Sequence, residues 1–147
     1  MIDIESLVFD TVYNQLSSLF PNANITAGYD EKKAVYPAVI IRETGNVPYQ
    51  STNTDDCAEN YSRLTYEIEV ESDKQNTARS ECKAILNAAD TIMQSMKFRR
   101  IHKNRPLNVD RTVFRQYARY EVIVGKPTVT VDEITGKETY TYHMYRR

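Results

Sequence analysis

A chain of 147 residues with 19 basic and 20 acidic side chains is long enough for one domain with a real core, and its nearly cancelled charge argues against a dedicated nucleic-acid binder. No apolar run approaches the ~20 residues of a membrane span; the longest is about YPAVII, and no membrane partner is expected. The two cysteines, Cys57 and Cys82, fall in a predicted loop and a predicted helix, and without a signal peptide to imply an oxidising compartment both are expected as free thiols. Eleven tyrosines and no tryptophan suit either half-buried strands or contact surfaces, because tyrosine joins an apolar body to a polar tip.

The N-terminal stretch predicts a helix. Ile4, Leu7, Val8, Val12, Leu16, Leu19 and Phe20 make one apolar stripe, Asp3 is a suitable N-cap, and Pro21-Asn22 stops the helix. Asn24–Tyr29 predicts a short strand and Asp30–Ala34 a charged turn. Tyr36-Pro37 opens a strand over Ala38–Glu43, whose continuous apolar run implies burial on both faces. Thr44–Glu59 reads as a polar, acidic loop carrying Asp55, Asp56 and Glu59 without lysine or arginine. A structureless loop of that length is usually functional or disordered. Asp55-Asp56-Cys57 is also a conceivable metal corner, but no ligand spacing links it to His102 or His143.

Asn60–Ser72 alternates with period two. Leu64, Tyr66, Ile68 and Val70 share an apolar face; Arg63, Thr65, Glu67, Glu69 and Glu71 share a charged one. The following segment predicts a helix whose stripe is Ala78, Cys82, Ile85, Leu86, Ala89, Met93 and Met96, with Ser72, Asp73 and Thr77 as candidate N-caps. The methionines fit core filling better than a ligand box. Lys97, Arg99, Arg100, His102, Lys103 and Arg105 then form the one basic cluster, either a solvated strand and turn or a contact for an acidic surface or passing nucleic acid. Within it Phe98, Arg100 and His102 are expected to alternate with Arg99 and Ile101, and Pro106–Asp110 is expected to turn the chain.

Thr112–Val124 predicts a long strand. Phe114, Ala118, Tyr120, Val122 and Val124 face one way; Arg115, Tyr117, Arg119, Glu121 and Ile123 face the other. If this strand neighbours Asn60–Ser72, then Glu67, Glu69 and Glu71 meet Arg115 and Arg119, each cross-strand pair contributing about 0.2–1 kcal/mol. That face is either solvated or meets another subunit. Glu67, Glu69, Arg115, Tyr117 and Arg119 are its candidate interface residues. Beyond Gly125-Lys126-Pro127 lies a predicted hairpin with Gly136 supplying the positive φ of its turn. Val129 and Val131 are expected to face Tyr140, Tyr142 and Met144, a second candidate interface that packs on its own domain or on a neighbour, since a lone hairpin is marginal in water.

The pattern is α+β: a mixed or antiparallel β-sheet with two α-helices packed on one face and a C-terminal β-hairpin. Residues 1–125 form the domain and 126–147 the hairpin extension. No Gly-rich phosphate loop, Cys-x-x-Cys pair or Gly-x-Ser-x-Gly elbow occurs, so no catalytic, cofactor or metal site is expected.

The segments FPNANITAGYDEKKAVYPAVIIRE, ENYSRLTYEIEVES, ARSECKAILNAADTIMQSMKF and RTVFRQYARYEVIV, in that order, resemble the tail terminator proteins of long-tailed bacteriophages and prophages, also called tail completion or tail-to-head joining proteins. The resemblance covers roughly residues 1–125 and leaves out Thr128–Tyr145. It implies a structural virion protein, assembled in the bacterial cytoplasm, that forms a hexameric ring. Such a ring caps the tail tube and joins it to the head connector, with the tail tube protein and the neck protein as partners. Head-to-tail interfaces that close by rotation build such a ring. DNA would pass through the lumen without specific binding. Basic groups there would retain phosphates, so the lumen is expected to be acidic or neutral, with Asp55, Asp56 and Glu59 as candidate lining. A head-completion or neck adaptor protein, and a small cytosolic binding module or enzyme, are the alternatives.

Overall fold

A computed structural model of the chain describes residues 1–28, 35–49, 60–105, 107–108 and 112–145. The predicted turn at Asp30–Ala34 and most of the predicted acidic loop, including Asp55, Asp56, Cys57 and Glu59, lie outside the described residues.

Helix α1 (Glu5–Leu19) buries Val8, Val12 and Leu16, the inner part of the predicted stripe. Leu7 and Leu19 sit on its flank and stay exposed. The Asp3 carboxylate accepts a hydrogen bond from the Glu5 backbone N–H at 2.9 Å, meeting one of the unpaired donors of the first turn. Strand β1 (Asn24–Thr26) runs parallel to β2 (Ala38–Pro48), and β2 runs antiparallel to β3 (Tyr61–Ser72). Ala38 to Ile41 are all buried, as their unbroken apolar run requires.

Strand β2 continues five residues beyond the predicted end, so Thr44–Pro48 belongs to the sheet, not to a loop. Its polar composition hid this. The register shifts between Glu43 and Gly45, after which Gly45, Asn46, Val47 and Pro48 pair with β3. Gly45 suits this passage because a Cβ there would stand 2.5 Å from Thr65 Oγ1.

Helix α2 (Ala78–Ser95) buries the predicted stripe plus Ile92, with Met96 partly buried at its end. Thr77 stands at the N-cap without a side-chain capping bond, so none of the three candidates caps in the expected way. Ser72 Oγ instead lies 3.1 Å from Glu81 Oε1 and accepts from the Lys74 N–H at 3.4 Å, drawing β3 towards the helix start. At the C-terminus the Phe98 N–H bonds to the Met93 carbonyl at 3.1 Å and the Lys97 N–H to the Gln94 carbonyl at 3.0 Å. Lys97 adopts φ 72°. These are the paired bonds of a Schellman cap, sealed by contact of buried Phe98 with the helix.

Strands β4 (Arg99–Lys103), β5 (Leu107–Asn108) and β9 (Met144–Tyr145) share one side of β6 (Phe114–Gly125), and β3 occupies the other. The main sheet is therefore mixed and ordered β1-β2-β3-β6-β4. Both helices lie on one face. The core there joins Ile4, Val8 and Leu16 to Leu64, Ile68, Leu86, Met93 and Tyr120. Cys82 is in this core as a free thiol; burial, helped by Glu81 and Glu71, raises its pKa to about 11. Strands β7 (Thr128–Val131) and β8 (Glu138–Thr141) form a separate two-stranded sheet.

Candidate functional site

The face of the sheet opposite the helices carries the charged set predicted from alternation. The register sets Glu67 against Arg119 and Glu71 against Arg115 across β3 and β6, and Arg42 against Glu67 across β2 and β3. Cross-strand pairs form as expected. Arg42 Nη2 donates to Glu67 Oε1 at 2.6 Å, and Arg119 Nε donates to Glu67 Oε2 at 3.1 Å. Arg115 Nε lies 2.6 Å from Glu69 Oε1 as an ion pair out of hydrogen-bond alignment, and Arg42 Nη2 reaches Glu69 Oε2 at 3.8 Å. The Arg115 and Arg119 guanidinium groups lie 5.9 and 5.4 Å from the ring centre of Tyr117, within cation–π range. Three arginines, two glutamates and a tyrosine thus form a closed lattice.

Glu67 and Glu69 are not surface contact groups. They are 4% and 1% exposed, sunk beneath the arginines. Two long side chains flank each short carboxylate, so the aliphatic stems cover it while the heads neutralise it. The surface a partner would meet is made of Arg42, Arg115, Arg119 and Tyr117. Burial, then repulsion from Glu69, raises the pKa of Glu71, with Arg115 opposing.

The basic cluster divides between the two faces. A β-bulge between Arg100 and His102 turns His102 onto the arginine face opposite Arg119, not into line with Arg100. Its ring centre is 5.8 Å from that of Tyr117. Arg100 faces the helices and pairs with Asp90 at 2.9 Å. Asp90 also accepts from the Tyr120 hydroxyl at 2.9 Å and from Gln94 Nε2 at 2.6 Å. The Tyr120 pKa is raised by burial and by Asp90. Sequence reasoning missed this pinning cluster; its signal was the Asp90–Gln94 spacing of one helical turn. It also missed Arg42. The signal there was period two, which carries Arg42 to the face of Ile40.

The hairpin keeps the predicted meeting of Val129 and Val131 with Tyr140 and departs from the rest of the prediction. Its register sets Val129 against Tyr140 and Val131 against Glu138, so these four share one face while Thr128, Thr130, Thr139 and Thr141 share the other. All eight residues are exposed. Ile134 at the tip is 94% exposed. Gly136 has φ 71°, as its turn position requires. Tyr142 and Met144 are not on this face. The strand ends at Thr141, and both side chains pack on the main core. Met144 and Tyr145 pair with Val124 and Ile123, and the Tyr145 ring meets Tyr61 edge-on at 5.9 Å. Met144 and Tyr145 thus return to the main sheet, while β7 and β8 form their own exposed two-stranded sheet.

Among the described residues no three His, Cys, Asp or Glu side chains are grouped to hold a metal ion, and no helix is long and apolar enough to cross a membrane. Comparison with known proteins returns no matching family model and no matching curated relative.

Proposed function

We propose that this chain is an assembly protein of a long-tailed bacteriophage or prophage, whose subunits join head-to-tail into a ring, hexameric by the family resemblance, that caps the tail tube and receives the head connector. The observation that carries the reading is the division of the molecule. One sheet face is taken up by both helices; the other, with its arginine lattice, and the exposed β7–β8 arm are left for partners. Two unlike contact surfaces on one subunit are what a heterologous, ring-closing interface needs. The strand–helix–strand order of residues 60–125 agrees with the resembling segments. DNA passes through such a ring during ejection, so the arginine lattice belongs at subunit contacts, not at the lumen.

The test is the mass of the purified protein, alone and mixed with tail tubes that lack a terminator, followed by negative-stain imaging of the tube ends. A ring seated on tube ends supports the reading. A protein that leaves tubes uncapped but joins isolated head connectors is a neck adaptor, and one that binds neither is not a tail assembly protein.

A further inference from the structure

The β7–β8 arm and the arginine face differ in charge. Of the four charged side chains on the hairpin, Asp132, Glu133, Lys137 and Glu138, three are acidic. Glu138 shares the face of Val129, Val131 and Tyr140, so that apolar face carries a single carboxylate. Its Oε2 accepts a hydrogen bond from the Tyr140 hydroxyl at 2.7 Å, which holds both groups towards the same side. The arginine lattice is the opposite. Its carboxylates are buried and its outward groups are guanidinium heads, with Arg119 the most exposed of the three at 49% of its side chain. A guanidinium has five N–H donors in a fixed fork, more than Glu67 occupies on Arg119. Because Glu67 and Tyr117 already fix that head, an incoming carboxylate gains the contact without ordering a free side chain.

We infer that the β7–β8 arm of one copy docks on the arginine face of a second copy, with Glu138 meeting Arg119 and Val129, Val131 and Tyr140 covering Tyr117 and Ile123. This rests on the ring reading and deepens it by naming the two surfaces that meet. The contact joins unlike patches, so each copy offers an arm to one neighbour and a face to the other. Arm meeting arm would oppose acidic groups, and face meeting face would oppose arginines.

Sedimentation of the full chain tests the pairing. Glu138→Arg should weaken self-association by about tenfold or more, as expected for loss of a close interfacial charge pair. Arg119→Glu should do the same, provided its melting curve shows it folded. An equimolar mixture of the two variants should assemble where neither does alone. The arginine introduced on the arm of one variant then meets the glutamate introduced on the face of the other, while the unaltered Glu138 and Arg119 form the alternate contact. A second measurement does not depend on the folding of Arg119→Glu. Tyr140 is replaced by p-benzoylphenylalanine in mixed heavy and light protein, and the cross-links are mapped. Cross-links between copies that land on residues 115–123 support the inference. Assembly untouched by Glu138→Arg, or cross-links between copies that land on α1 or α2, overturns the pairing and leaves the ring standing. A parent protein that stays monomeric at high concentration and also leaves tail tubes unbound overturns both.

Discussion

Glu67 stands opposite Arg119 in the register of β3 with β6 and opposite Arg42 in that of β2 with β3, so a buried carboxylate lies between two guanidinium groups. Removing one partner of such a group costs more than making the pair gains, because the remaining charge stays out of water. The arginines are themselves a third to a half exposed, which screens part of that cost. Arg42→Ala, which strips a partner from both Glu67 and Glu69, should lower unfolding free energy by about 2 kcal/mol in urea titration. Glu43 on the helix side behaves differently. Burial, with repulsion from Asp3 and Glu5, raises its pKa above the ordinary 4.5, against a hydrogen bond from Asn46. A carboxyl raised on folding stabilises the fold most when protonated, and that contribution is lost as pH rises from 4.5 through its folded value. Glu43→Gln should therefore be more stable than the parent at pH 7, with the difference closing towards pH 4.5; urea titrations at the two values measure it. That Glu67, Glu69 and Glu71 meet Arg115 and Arg119 was legible in the sequence because alternation assigns faces; which carboxylate meets which arginine came from the register. Burial of the glutamates was not, because it needs Arg42 from a third strand whose neighbours only the register reveals.

At the scale of elements, Lys97 and the hairpin carry the clearest expectations. Lys97 closes α2 in the left-handed region, where a side chain costs about 1 kcal/mol and glycine does not. Lys97→Gly should raise the melting temperature by about 3 °C. Truncation after Gly125 would remove Tyr142 and Met144 from the core along with the arm, at a cost of about 3 kcal/mol. Replacing Val129–Tyr140 by Asn-Gly removes the arm alone, since it turns Thr128 directly into its register partner Thr141. That variant should melt within about 1 kcal/mol of the parent and fail to assemble; assembly at the parent's level would make the arm dispensable. The hairpin's existence and its Gly136 turn were legible in the sequence, but its extent was not. Alternation runs on without interruption through Tyr142 and Met144, while the pairing stops at Thr141 and the chain crosses to β6. Thr44–Pro48 misled in the other sense: a polar segment paired on one side reads as a loop, and Gly45 reads as a turn residue when it follows a bulge at Thr44.

For the whole molecule, the pattern supplies the parts, since two stripes at helical spacing and two alternating strands each need an apolar partner; that both helices share one face agrees with the family resemblance. Function does not follow from those layers, since one fold supports many roles. The proposed site is a surface, and surfaces are tested by what they assemble. The most direct measurement is the mass of the full chain by sedimentation equilibrium over rising concentration, without and with tail tubes that lack a terminator. The ring reading predicts a species of about six times the 17.0 kDa chain mass, present free or recruited to tube ends. A chain that stays at 17.0 kDa at every concentration and leaves the tubes unbound would contradict it.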